Sequence, residues 1–551
     1  MEYLRKTAAE LGVMPKQSWK PMLPEHIVLD DIEKQYPVSY TRFALDPVIG
    51  MVDDPQHQEQ YPMQLSLTEN GNIIVYGFAG AGKQEVVNAV IYSLCMHHTS
   101  EELNIYCLDF ASEACRMFAA MPPVGDVVVA GEDEKITNLV KMLSNEMDTR
   151  RKTLSSFGGS LELFRNENAG DMPNILVVIQ NYAAFAEGYD NLEDDMYRLI
   201  REGNRFGIYF IITSVSATGI RYRLTQNFKQ VLCLQMTDSM DYTNLVGKSD
   251  GITPMERVGS GIYLNGDVQL FQTGFIYPED VQDTYKRVCA LSAERARSTS
   301  QHKARRVPVL PESVSIRDVC DVPENIRLSA VPVGVDTQTM TPLTYDLHEN
   351  GFTFILYSLL PEIPYFRMLG EMLSASKDRT VYMFDTEHMQ HHPAKRQYLL
   401  YDNISQVPDV LEKLVYLFLA RFKARKAALE SNESAPVFPE IVVMIAGVKR
   451  LHDQLKNNAH AFDCLDTVLT QGTEALNVHF LLLEECRMVS QMSMRTWYSR
   501  VQRHDGLWLG NGIASQTIFQ SDLRREGEVG EQYGYAVRHG KARLIKLIEG
   551  R

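Results

Sequence analysis

Two hydrophobic rhythms alternate along the chain. Short uninterrupted apolar runs, at Ile73–Tyr76, Ile105–Leu108, Ile175–Ile179 and Ile208–Ile212, have the length of strands buried on both faces. Between them lie stretches in which apolar residues return every three or four positions: Val86–Met96, Lys135–Leu154 and Leu192–Glu202. Strands without a polar face, separated by amphipathic helices, predict an α/β fold with a mostly parallel sheet flanked by helices. A short helix is expected at Glu2–Leu11. No run approaches the ~20 apolar residues that a membrane-spanning helix needs.

The same order of parts occurs twice. Pro21-Met22-Leu23-Pro24-Glu25 returns as Pro308-Val309-Leu310-Pro311-Glu312, and Glu69-Asn70-Gly71 as Glu349-Asn350-Gly351. Asn104–Asp109 matches Thr380–Asp385, Ile175–Ile179 matches Ile441–Ile445, Ile208–Ile212 matches Val478–Leu482, and Gly261–Leu264 matches Gly534–Val537. Six matches in one order, with offsets between 266 and 287 residues, are what loop insertions and deletions leave in two homologous modules. The expected organisation is an N-terminal helix and linker at 1–20, module one at 21–290, a polar, basic linker at 291–307 and module two at 308–551.

Composition narrows the class. With 45% apolar and 23% charged residues the chain is globular, and collagen-like, coiled-coil and disordered classes are excluded. Acidic residues outnumber basic ones by 70 to 55, for a net charge of −15, which opposes a general nucleic-acid partner. The eight cysteines form no CxxC pair, most sit in apolar runs, and the N-terminus lacks the apolar core of a secretory signal. The reading is buried free thiols in a reducing compartment: a cytosolic chain, or the cytosolic piece of a longer one.

One motif carries chemistry. Gly77-Phe78-Ala79-Gly80-Ala81-Gly82-Lys83-Gln84 fits G-x-x-x-x-G-K except for the final Ser/Thr. A strand feeds it and a helix leaves it at Glu85. That setting aims backbone N–H groups and a helix N-terminus at phosphates, with lysine as a point charge. Gly77, Gly80, Gly82, Lys83 and Gln84 are therefore the candidate nucleotide-binding residues. Hydrolysis needs more. Gln84 stands where a hydroxyl should hold magnesium, and the strand Asn174–Ile179 ends in Gln180-Asn181, where a carboxylate is needed. An amide neither takes a proton nor carries a full negative charge, and losing a general base alone costs roughly 10²–10⁴ in rate. Module one is thus expected to hold ATP without turning it over, with no metal and no catalytic residue.

Module two departs further. Its counterpart loop, Tyr357-Ser358-Leu359-Leu360-Pro361-Glu362-Ile363-Pro364, has neither glycine nor lysine, and Ile441–Ile445 ends in Ala446-Gly447. Asp109 and Asp385 end equivalent strands and are read first as turn or capping aspartates, with a ligand contact as the alternative. His97-His98 and His388-Met389-Gln390-His391-His392 lack acid or cysteine partners at ligand spacing, so no zinc site is expected. Glu484-Glu485 is read as a solvated helix start. Arg201 and Arg205 are read as a solvated helix end, with a reach to a neighbouring subunit's phosphate as the alternative.

In module one the P-loop, a second strand ending in Asp109 and a third ending in Gln180 are followed by Gly203-Asn204-Arg205-Phe206-Gly207-Ile208-Tyr209-Phe210-Ile211-Ile212-Thr213-Ser214. This order resembles FtsK/SpoIIIE-type motor domains, which are RecA-like ATPases. By that resemblance Gln180 and Asn181 occupy a degenerate Walker B position and Thr213 a sensor-like one. Tandem modules with a decayed later copy resemble the second and third ATPase domains of the EssC/EccC coupling ATPases of type VII secretion, in particular the EssC form of Firmicutes. The resemblance covers nearly the whole chain after about Ser18. It rests on motif residues in module one and on repeat position in module two.

The resemblance implies two tandem RecA-like P-loop NTPase modules within a longer, membrane-anchored protein that has an active first ATPase domain. This segment would lie at the cytoplasmic face of the cell membrane, in a hexamer and beside other subunits of a secretion complex. Its role would be to recognise secreted WXG100 and LXG-type substrates. The amides at Gln84 and Gln180 imply little or no hydrolysis of its own. Two other readings stand beside it: an ATP-holding regulatory module, and a DNA-translocating motor fragment, which the net charge opposes.

Overall fold

The apolar runs are strands. In the computed structural model, which describes residues 20–54, 57–167, 172–248, 251–278, 280–298, 303–358, 363–386 and 399–549, module one contains β1 (Val48–Asp54), β2 (Glu59–Gln64), β3 (Asn72–Tyr76), β4 (Leu103–Asp109), β5 (Val124–Val129), β6 (Asn174–Gln180), β7 (Ile208–Ser214), β8 (Phe228–Leu234), β9 (Ser260–Asn265) and β10 (Asp267–Thr273). The sheet order is β2-β1-β10-β9-β8-β3-β7-β6-β4-β5. From β8 to β5 all neighbours are parallel, and β9, β10, β1 and β2 add an antiparallel wing. The expected helix at Glu2–Leu11 and the histidine cluster 388–392 lie outside the described residues, as do residues 359–362 of the second loop.

Alternation along the strands splits the core in two. Ile73, Val75, Ile105, Cys107, Leu176, Val178 and Ile211 face the helix Lys83–His97. Ile74, Tyr76, Leu108, Val177, Ile179, Phe210 and Ile212 face the helices Asp133–Ser155 and Glu193–Glu202. Both faces are covered, so β3, β6 and β7 are buried along their whole length and carry no polar alternation.

Module two repeats this plan: β11 (Val331–Asp336), β12 (Pro342–Tyr345), β13 (Phe352–Tyr357), β14 (Arg379–Asp385), β15 (Leu399–Tyr401), β16 (Glu440–Ala446), β17 (Val478–Glu485), β18 (Gly506–Leu509), β19 (Tyr533–Arg538) and β20 (Lys541–Leu547). Its order is β12-β11-β20-β19-β18-β13-β17-β16-β14-β15, the order of module one strand for strand. The internal sequence matches fall on β4 and β14, β6 and β16, β7 and β17, and β9 and β19. Glu69-Asn70-Gly71 and Glu349-Asn350-Gly351 both lead into the loop strands β3 and β13. Past the proline segments, Val28 bridges Phe275 and Val314 bridges Ile548 in the same parallel sense.

A buried arginine recurs as well. Arg150 donates to the carbonyls of Phe206 and Pro173, each at 2.8 Å, and so ties the entries of β7 and β6 together. In module two Arg421 does the same with Leu476 at 2.6 Å and Pro439 at 2.9 Å, ahead of β17 and β16.

The segment expected as a polar linker is packed instead. The helix Val281–Ser298 buries Val288 and Ser292, and the Ser292 hydroxyl donates to the Met117 carbonyl. Beyond it Ala304 N–H donates to the Pro122 carbonyl, Tyr106 Oη donates to the Arg305 carbonyl, and Val307 joins the core. The contacts are made by backbone and by a few small residues, too sparse to leave an apolar period. The chain divides into two compact units between Val309 and Leu310. Among the described residues no helix is long and apolar enough to cross a membrane.

Candidate nucleotide site of module one

The carboxyl ends of β3, β4, β6 and β7 bring the candidate residues to one edge of the sheet, where α/β folds bind ligands. β3 runs straight into the loop. Gly77 N–H donates to the Ser214 carbonyl and Phe78 N–H to the Gln235 carbonyl, which pins the loop to the strand tips on either side. Gly82 closes it in a left-handed conformation (φ 108°) and caps the helix Lys83–His97. A Cβ on Gly82 would collide with the backbone nitrogen of Gly259, so only glycine lets the turn before β9 approach. Phe78, Ala79 and Gly80 are exposed at the crown.

Lys83 folds back over its own loop. Its Nζ donates to the carbonyls of Gly77 at 2.6 Å and Phe78 at 3.0 Å. Burial holds its pKa below the ordinary lysine value and pushes the neighbouring Glu85 carboxyl up. An anion bound beside Lys83 would oppose its shift, since a nearby opposite charge favours the charged form.

The metal positions are joined to each other. Gln180 Nε2 donates to Gln84 Oε1 at 2.8 Å, and Ser112 Oγ donates to the same oxygen at 2.8 Å. Gln84 Nε2 is spent on Asn88, and Gln180 Nε2 also contacts Cys115 Sγ at 3.2 Å. Magnesium, which the P-loop fold implies, needs oxygen ligands with charge to offset its own. Here the one oxygen at the helix start already accepts two hydrogen bonds, and an N–H₂ group points at it from the Walker B position. The residues do not fit the ion. Among the described residues no group of three His, Cys, Asp or Glu side chains could hold a metal.

The other candidates make contacts within the fold. Asn181 takes a left-handed turn (φ 59°), and its N–H donates to Thr213 Oγ1 at 2.9 Å. Thr213, fully buried, thus ties β7 to the turn after β6. Asp109 accepts from the N–H groups of Ala111, Ser112 and Cys115, so it is the turn aspartate of the first reading. Arg201 pairs with Glu202 and lies 5.5 Å from the Tyr197 ring, and Arg205 is exposed: a solvated helix end. His97 and His98 do have acid partners, contrary to expectation, but different ones: Glu33 at 3.1 Å and Glu102 at 3.3 Å.

In module two the edge is apolar where module one is polar. Ala446 stands for Gln180 and Leu483 for Thr213, both buried, while Gly447 repeats the left-handed turn of Asn181 (φ 77°). Glu484 is not solvated, as its sequence position had indicated, but 4% exposed. Its carboxylate accepts the Lys449 N–H at 2.7 Å and caps the helix Val448–Leu455. Ser112 and Cys115 support the amide pair and carry no motif; only the repeat pairing of Arg150 with Arg421 could have been found from sequence.

Residues 34–264, which run from before β1 to β9 and hold the P-loop and both amides, match the FtsK/SpoIIIE family. Module one carries an FtsK/SpoIIIE domain. The whole chain is similar to the ESX secretion system protein YukB of Bacillus subtilis, 22% identical over 577 aligned positions and 99% of this chain. It spans 36% of that protein's length. Among solved structures, EssC (ATPases 2 and 3) from Geobacillus thermodenitrificans superposes with a TM-score of 0.73 at 18% identity, covering 96% of this chain and all of that one. EccC (ATPases 2 and 3) of Thermomonospora curvata, in complex with a signal sequence peptide, gives 0.52 at 19% identity over 97% of this chain and all of that one. The tandem fold is therefore that of the second and third ATPases of EssC and EccC, and the FtsK/SpoIIIE domain is the first of the two modules.

Proposed function

We propose that this chain is the substrate-recognition segment of a type VII secretion ATPase, binding secreted substrates with little or no hydrolysis of its own. The observation that carries the proposal is the pair of joined amides, Gln84 and Gln180, inside an otherwise well-formed P-loop. A motor needs a metal, a base and a positioned water; the amides of Gln84 and Gln180 offer none of the charges that would hold them. What it keeps is a scaffold matching, along its whole length, ATPases of EccC that have been solved with a signal sequence peptide. The substrates would be WXG100 and LXG-type proteins, and the setting the cytoplasmic face of the cell membrane, in a hexameric secretion complex.

Within this reading module one holds a nucleotide. The loop N–H groups and the N-terminus of Lys83–His97 face the phosphates, Lys83 turns from its own carbonyls to the ligand, and the half-buried Glu85 lines the approach. Beside the first turns of that helix a cavity of about 280 Å³, walled by Gln84, Glu85, Asn88, Met117, Phe275 and Tyr277, offers apolar surface for a base. A bound nucleotide then stabilises module one as a docking scaffold by mass action.

The test has two arms on the purified chain. Secreted proteins of the same cells are captured on the whole chain and on chains lacking either module, and ATP turnover is measured alongside. Capture that survives only with a particular module, with turnover below ~1 s⁻¹, is expected. Turnover within the ordinary enzyme range, or no capture of any secreted protein, overturns the reading.

A further inference from the structure

We infer that module one binds its nucleotide as the metal-free polyphosphate anion, and that divalent magnesium does not tighten the complex. The inference rests on the nucleotide reading of the P-loop and adds the state of the ligand. A conventional P-loop presents a hydroxyl at its helix start and a carboxylate at the tip of the third strand, and together they place the ion against the phosphates. Here the two corresponding side chains are hydrogen-bonded to each other at 2.8 Å, and the shared acceptor, Gln84 Oε1, takes a second hydrogen bond from Ser112 Oγ at 2.8 Å. A metal entering this place would have to break both bonds and displace an N–H₂ group.

The surrounding acids do not compensate. Asp109 ends the neighbouring strand, but its oxygens accept from three backbone N–H groups, two on Oδ1 and one on Oδ2. Glu85 is in the first turn, where burial opposes its charged form and so raises its pKa. Asn88, Ser112 and Asn181 are neutral. Lys83, which is positive, reaches the loop itself, at the carbonyls of Gly77 and Phe78. The edge is therefore selective for an anion that arrives without a cation. The amide N–H₂ of Gln180 replaces the metal as a neutral donor at the strand tip, a group able to turn from Gln84 Oε1 to a phosphate oxygen. In solution magnesium competes for the phosphates, so added ion lowers the fraction of ligand in the form the site accepts.

Titration calorimetry of the full chain with ATP, in excess EDTA and again in excess magnesium, tests this without any variant. The expected result is a dissociation constant that is unchanged or weaker with magnesium. Tightening beyond about threefold on adding magnesium overturns the inference and leaves the nucleotide reading intact. No binding in either buffer overturns the nucleotide reading, and the inference with it. The double variant Gln84→Thr/Gln180→Asp restores a hydroxyl and a carboxylate at the two positions. It is expected to gain at least about tenfold tightening by magnesium. A folded double variant that stays indifferent to the ion shows that the amide pair does not set the preference, which overturns the assignment.

Discussion

The two modules share a strand order, a pair of isolated bridges and a buried arginine strut, yet at the carboxyl ends of the same strands their side chains differ. Module one has Gln84, Gln180 and Thr213 bound into a polar network. Module two has Ala446 and Leu483 at the last two of these places, with a carboxylate, Glu484, one residue further along. The difference shows that the sheet does not need its catalytic edge. The core is held by apolar faces packed on both sides and by backbone groups that must be paired, and both constraints act on residues remote from the ligand. The edge is constrained only by chemistry. Where no ligand constrains it, any arrangement that satisfies the local hydrogen bonds is stable.

The strongest test of the shared scaffold is its arginine. Arg150 and Arg421 each supply a charged donor to two buried carbonyls, and truncation leaves both unpaired beside a cavity. Arg150→Ala and Arg421→Ala are each expected to cost about 3 kcal/mol, since hydrogen bonds from charged groups contribute roughly 1.5–3 kcal/mol. Scanning calorimetry of the full chain should show one transition fall while the other holds. A loss under about 1 kcal/mol at either position would break the equivalence.

The scaffold was legible because burial writes period and repeat into a sequence. The parallel strands β3, β4, β6 and β7 could be read as uninterrupted apolar runs, and the repeat gave their partners in module two. The antiparallel wing was not. β2 is mostly half-exposed, β10 starts at an exposed Asp267, and neither has a run that stands out from a loop. The site was legible in its motif and illegible in its wiring. Gln84 and Gln180 are far apart in sequence, and that they bond to one another depends on β3 and β6 flanking β7. Glu484 misled for a similar reason: two acids after a strand look solvated until the fold places a helix N-terminus against the first of them.

The modules should also part in acid. His452 of module two, stacked near Trp497 and Phe462, is held by burial at a pKa of about 4. Asp466 and Asp453 pull it upward, Arg495 and Lys449 oppose them, and burial prevails. An unfolded histidine takes its proton near pH 6.5, the folded one only near 4. Stability present above pH 6.5 is therefore lost as the pH falls towards 4, by roughly 1–3 kcal/mol in all. His479 adds in the same direction. In module one His97 is also depressed by burial, with Glu33 in opposition. The expected outcome is that the transition of module two moves further between pH 7 and pH 5 than that of module one. His452→Phe should flatten its slope. Equal shifts in both transitions would remove this distinction.

The smallest effect bears on the sharpest question, whether Thr213 is a strut or still a sensor. Its hydroxyl accepts the Asn181 N–H, as the Glu484 carboxylate accepts the Lys449 N–H after the equivalent strand in module two. If both are struts, Thr213→Val leaves one buried N–H unpaired and costs about 1 kcal/mol in module one. Glu484→Gln retains an acceptor at reduced charge and costs somewhat less, about 0.5–1 kcal/mol, in module two. In that case nucleotide affinity, corrected for stability, stays where it was. A Thr213→Val chain that melts normally but binds ATP tenfold more weakly would give the hydroxyl a contact with the ligand. It would also mean that the catalytic edge of module one has lapsed less far than its amides indicate.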